Sequence, residues 1–63
     1  MCVSTIYKDK KEESNILMKN VMSIEINKGV LTFTDILERK LNLKGELLKA
    51  DLVEGYAIVK ESE

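Results

Sequence analysis

The chain predicts an all-β fold, a small antiparallel β-barrel of six or seven short strands, on three observations. Apolar and polar residues alternate on both sides of the turn signal Asn27-Lys28-Gly29. Short β-prone runs are separated by charged or glycine-bearing breaks. No proline is present to demote any run to an edge strand. The 63 residues are read as one domain, 1–63, because so short a chain cannot hold two independent cores.

The opening run, with Val3, Ile6 and Tyr7, predicts a first strand over 2–8, which the charged cluster "KDKKEES" ends. "SNILMKN" predicts a second short strand after that turn. In "VMSIEIN" the residues Met22, Ile24 and Ile26 fall on one face, with Ser23 and Glu25 on the other. "NKG" then supplies a turn with Gly29 suited to positive φ. "VLTFTDI" follows, with Leu31 and Phe33 opposed to Thr32 and Thr34, so the two runs form a hairpin. "LERKLNLKG" alternates as a strand that sets Leu37, Leu41 and Leu43 against Lys40, Asn42 and Lys44. A helical stripe through Leu37, Leu41, Leu48 and Leu52 competes with it, and would leave a helix over 46–53. Gly45 weighs against that helix by about 1 kcal/mol relative to alanine. The last hairpin is read as "KADLV", turn "EG", "YAIVK", with Asp51 at a turn or strand end.

Charge and composition exclude several functions. Ten basic residues against eleven acidic ones leave a formal net charge of −1, with no global attraction for a phosphate backbone or an anionic membrane. No apolar run approaches the roughly 18 residues that span a bilayer. No signal peptide is read at the start, and a single cysteine with no export signal points to the reducing cytoplasm. Enzymatic chemistry finds little footing. Histidine is absent, and the glycines at 29, 45 and 55 draw no phosphate-binding fingerprint. Ser4 and Ser23 have no base to activate them. The carboxylate pairs Glu12–Glu13 and Glu61–Glu63 lie in solvated charged runs and read as solubility features. Met18 and Met22, four residues apart, read as packing rather than as a soft metal site. The chain is therefore not expected to be an enzyme.

One residue stands apart. Cys2, the only cysteine, follows the initiating methionine directly. It reads in two ways. The first is a small apolar residue at the start of the first strand. The second is a metal ligand. If Met1 is removed, an α-amine with pKa of about 8 and a thiolate sit on adjacent carbons and close a five-membered chelate ring. If Met1 stays, its amine, the Cys2 amide nitrogen and the thiolate close two fused rings. Either nitrogen and sulfur set favours square-planar Ni(II) or Cu(II) over tetrahedral Zn(II). One processed chain supplies one nitrogen and one sulfur, and two chains about a two-fold axis supply the full square plane. A homodimer also answers the size problem, since domains this small bury a limited core and lean on partners. Strand pairing or an apolar face near Leu17, Met18 and Met22 is the expected interface.

The "MC" start with a β-strand behind it, the total length, and "KGELLKADLVEGYAIV" near the end resemble the CooT family of small nickel-binding accessory proteins. The resemblance spans nearly the whole chain and implies an all-β cytoplasmic homodimer. It further implies one Ni(II) held between subunits through Cys2, serving maturation of carbon monoxide dehydrogenase. A nickel enzyme or its maturation factors would then be the partner. Two rivals remain open. HypC-type hydrogenase-maturation chaperones also begin "MC", but follow it with glycine and proline, which "MCVSTIYKDK" lacks. Small barrels also bind RNA through aromatic platforms, but Tyr7, Phe33 and Tyr56 are the only aromatics here and the charge is near neutral.

Overall fold

In the computed structural model, which describes residues 3–62, the chain forms five strands. They are β1 (Ser4–Lys8), β2 (Ile16–Asn27), β3 (Val30–Asp35), β4 (Lys40–Asp51) and β5 (Tyr56–Glu61). Each neighbour in sequence pairs antiparallel with the next, and β5 returns to pair with β1, so the strands close into a ring. That last pairing is parallel, with Thr5 opposite Tyr56 and Lys8 opposite Val59. The expectation of an all-β ring holds. Two of its details are corrected: five strands stand in place of six or seven, and the closing pair is parallel rather than antiparallel.

Fusion accounts for the lower number. The runs "SNILMKN" and "VMSIEIN" belong to one strand, joined through Asn20 with φ 57°. Asparagine tolerates this left-handed conformation better than most residues. The bulge it makes shifts register around Met18 and Val21, and bends β2 from its pairing with β1 to its pairing with β3. β4 likewise serves two partners. Its first half pairs with β3, from Thr34–Lys40 to Val30–Lys44, and its second half with β5, from Gly45–Glu61 to Asp51–Tyr56. Residues 46–51 are therefore strand, and the competing helical stripe is not formed.

Local turn chemistry was legible. β2 and β3 meet through Lys28 and Gly29, with φ of 49° and 80°, and Asn27 opposes Val30. Two consecutive positive φ values match a two-residue primed hairpin turn. The charged segment after β1 folds into tight turns, with Asn15 Nδ2 donating to the Lys8 carbonyl at 2.7 Å.

The core comprises Ile6, Val21, Leu31, Phe33, Ala57 and Val59, with Leu17, Met18, Ile24, Leu41, Leu43 and Leu47 packed around it. Leu31 and Phe33 point inward as the alternation requires. On β2 the expected face holds only in part: Ile24 packs against the core, while Met22 and Ile26 are exposed. Val21 is buried in place of Met22, because the bulge between Val21 and Ser23 changes which residues face inward there. Leu37 also departs from expectation: it lies in the loop between β3 and β4 and is exposed.

Candidate functional site

The one residue singled out as a metal ligand, Cys2, lies outside the described residues. Its covalent neighbour, Val3, is exposed at one rim of the ring. The start of β1 is fixed there by the turn between β4 and β5. Thr5 N–H donates to the Gly55 carbonyl at 3.0 Å, and a Cβ on Gly55 would stand 3.1 Å from the Val3 carbonyl oxygen. Gly55 also has φ of 82°, so glycine serves both the turn and the close approach.

This turn is longer than the sequence suggested. The strand stops at Asp51, and residues 52–55 make the connection in place of a two-residue "EG" turn. Asp51 Oδ1 accepts the amides of Val53 at 3.1 Å and Glu54 at 2.8 Å, while Gly55 N–H donates to the Asp51 carbonyl at 2.9 Å. The aspartate thus holds the turn, as expected of a strand-end residue. The consequence is at Leu52 and Val53, which leave the ladder and stand 80% and 95% exposed. Leu52 joins Ser4, Val21, Met22, Ser23 and Ile24 around a shallow concavity beside β1. Val3, Met22, Leu52 and Val53 are all exposed apolar residues, and Val3 and Leu52 flank the contact between the start of β1 and the turn. Leu17 and Met18, named with Met22 for the expected interface, are half-buried and pack against the core.

At the far end of β3, Asp35 is buried and fully engaged. Its Oδ1 accepts the amides of Leu37 and Arg39, each at 2.9 Å, and its Oδ2 accepts Arg39 Nε at 2.8 Å. Burial pushes this carboxyl up, but the Arg39 amide and guanidinium, the Leu37 amide and the Arg39 charge outweigh it and hold it below the ordinary carboxylate value. With its lone pairs committed to the loop, Asp35 is a structural anion, not a ligand. Among the described residues no three His, Cys, Asp or Glu side chains cluster as a metal site.

The aromatics do not make a base-stacking platform. Phe33 is in the core, Tyr56 is buried, and Tyr7 is half-buried with its ring at 78° to that of Tyr56 and 6.1 Å away. Lys11 Nζ stands 4.3 Å from the centre of the Tyr56 ring. Among the described residues no helix is long and apolar enough to cross a membrane.

These features define a class: a small closed all-β ring with an apolar rim where its first strand begins. The chain belongs to the CooT family, since the family model described as CO dehydrogenase accessory protein CooT matches residues 1–60. The fold is similar to a crystal structure described as CooT of Carboxydothermus hydrogenoformans, with a TM-score of 0.84 at 11% identity, covering 98% of this chain and 100% of that one. No curated protein matches the chain significantly.

Proposed function

We propose that this accessory protein binds nickel as cargo, one Ni(II) per homodimer, through the Cys2 thiolate and a main-chain nitrogen of each copy. Nickel would pass from there to carbon monoxide dehydrogenase or its maturation factors in the cytoplasm. The observation that supports this reading most is the apolar rim. Leu52 and Val53 are the most exposed large apolar residues described, at 80% and 95%, ahead of Leu37 at 67% and Ile26 at 61%. Turns favour polar residues, so two adjacent apolar side chains at a turn tip call for a partner surface. A two-fold contact across this rim carries the beginning of β1 in each copy toward the axis, and Cys2 is one residue before Val3. Paired nitrogen and thiolate donors then complete a square plane suited to Ni(II).

The test is native mass spectrometry combined with nickel titration. The parent should carry one nickel per two chains and develop a thiolate-to-nickel charge-transfer band in the near ultraviolet. Zinc should compete poorly. Cys2→Ser should keep the far-ultraviolet spectrum of the parent and lose tight nickel binding. Undiminished nickel binding by Cys2→Ser would end this reading.

A further inference from the structure

A second feature lies apart from Cys2 and uses none of it. β2 and β4 have 12 residues each and β3 has 6, so β3 can cover only part of either neighbour. On β2, pairing with β3 begins at Val21–Asp35, and Ile36 N–H donates to the Asn20 carbonyl at 3.0 Å just before it. Residues 16–19 lie beyond that point. Among the described residues they have a strand partner on one side alone, β1, through Tyr7–Ile16 and Ile6–Met18. Four residues of extended chain leave about 13 Å of open strand edge.

This edge borders a concavity of about 400 Å³, whose other wall is the end of β3 and the start of β4. Half-buried Leu17, Met18 and Leu41 line it together with exposed Lys19, Arg39 and Lys40. The acid in its lining is Asp35, which is buried and bound to Arg39. That carboxylate takes the Arg39 Nε at 2.8 Å, while the arginine side chain is 71% exposed, so guanidinium donors are left for another acceptor. Lys19 and Lys40 are in no ion pair among the described residues. Glu38, in the neighbouring loop, does not line the concavity, and counted with Asp35 it still leaves a positive balance. Asp35 also accepts the Leu37 and Arg39 amides, so the wall that carries Arg39 is already ordered before anything binds.

We infer that the cleft between residues 16–19 of β2 and the start of β4 takes an extended acidic segment of a partner protein, added as a strand to the open edge of β2. Main-chain groups of the edge supply the pairing, and alternate side chains of the added strand meet the apolar lining. Charge selects the occupant. The three cations favour carboxylates, and a second copy of this chain would bring the same cations against them. A nucleic acid finds no aromatic ring in the lining on which to stack a base. β4 is the contrasting case: residues 46–51 pair with β5 alone, but Glu46, Lys49 and Asp51 mix both signs and a register shift interrupts that edge.

The metal-free protein tests the cleft, so the outcome is independent of nickel. Amide signals are followed by NMR at fixed ionic strength during titration with acetyl-Asp-Val-Glu-Val-Asp-amide. Two controls are its lysine counterpart, acetyl-Lys-Val-Lys-Val-Lys-amide, and the acidic peptide N-methylated at two adjacent residues, so that each of its edges loses a donor. The acidic peptide should shift the amides of 16–20 and 39–41 saturably and slow hydrogen exchange at 16–19. N-methylation should weaken it at least about tenfold, since it keeps the charge and removes the pairing. Lys19→Glu and Lys40→Glu, both at exposed positions, should each weaken it roughly two- to fivefold with an unchanged melting temperature. The double variant should prefer the lysine peptide, a reversal that a merely structural role for these lysines does not produce. Equal binding of the acidic and lysine peptides by the parent, undiminished binding of the N-methylated peptide, shifts confined to other strands, or an unreversed preference in the double variant would each overturn the site.

Discussion

Asp35 shows how a single residue can look like chemistry and act as scaffold. It is a buried carboxylate beside an arginine, yet each of its contacts serves the loop between β3 and β4. Asp35→Ala should lower the melting temperature by several degrees, because the two amides lose their acceptor and the loop its anchor. The pH dependence has a definite sign. A folded-state value held below the unfolded one of about 3.9 means the ion stabilises the fold above pH 4, and that contribution is lost as pH falls through the folded value. The difference in melting temperature between parent and Asp35→Asn should therefore shrink between pH 6 and pH 3, as differential scanning calorimetry would record. Phe33 belongs to the same scale. It is wholly buried at the centre of the core, and Phe33→Ala should cost about 3–5 kcal/mol in urea unfolding.

At the scale of the element, β4 carries the clearest lesson. Alternation along 40–47 puts Leu41, Leu43, Gly45 and Leu47 on the inner face, and three of these pack on the core. Gly45 takes the fourth inward place because a Cβ there would run into the Lys60 carbonyl oxygen and stand 3.0 Å from the Glu61 Cα. A glycine that looked like a helix breaker is thus a point of close strand approach, where β4 changes partner from β3 to β5. Gly45→Ala should destabilise by about 1–3 kcal/mol, since the obstacle is backbone and cannot swing aside. Equilibrium unfolding would show it as a lower midpoint with an unchanged slope. The register shift between Leu47 and Lys49 has a second effect: it breaks the alternation, so that Lys49 is exposed and stands near Tyr56.

The whole molecule bears on assembly. The described residues have a radius of gyration of 10.6 Å, about what the scaling for a compact chain of this length gives. A monomer is thus geometrically complete, and the case for a dimer moves from a thin core to the exposed rim. Ring closure gives every strand two neighbours, and the exposed rim offers apolar side chains for association. Leu52→Asp with Val53→Asp should leave the melting temperature of the monomer nearly unchanged, since both residues are solvated and outside the ladder. The same pair should shift light scattering at micromolar concentration from a dimer mass to a monomer mass and weaken nickel binding. A parent that scatters as a monomer with and without nickel would defeat the dimer.

What the sequence determined by itself was local. Alternation located Leu31 and Phe33 in the core, and Lys28 and Gly29 specified the hairpin turn, whereas the metal reading of Cys2 falls outside the described residues. Those signals depend on φ, ψ and side-chain direction within a few residues, so neighbours in the chain are enough to read them. Only the tertiary structure decided the rest. Fusion of four predicted runs into β2 and β4 depends on a bulge whose benefit appears only when both flanking strands are present. The parallel seam of β1 and β5 joins the two ends of the ring. Exposure of Leu52 and Val53 follows from Asp51 capping the turn. The approach of Lys11 to Tyr56 joins two segments far apart in sequence, and no periodicity along one of them encodes contact with the other.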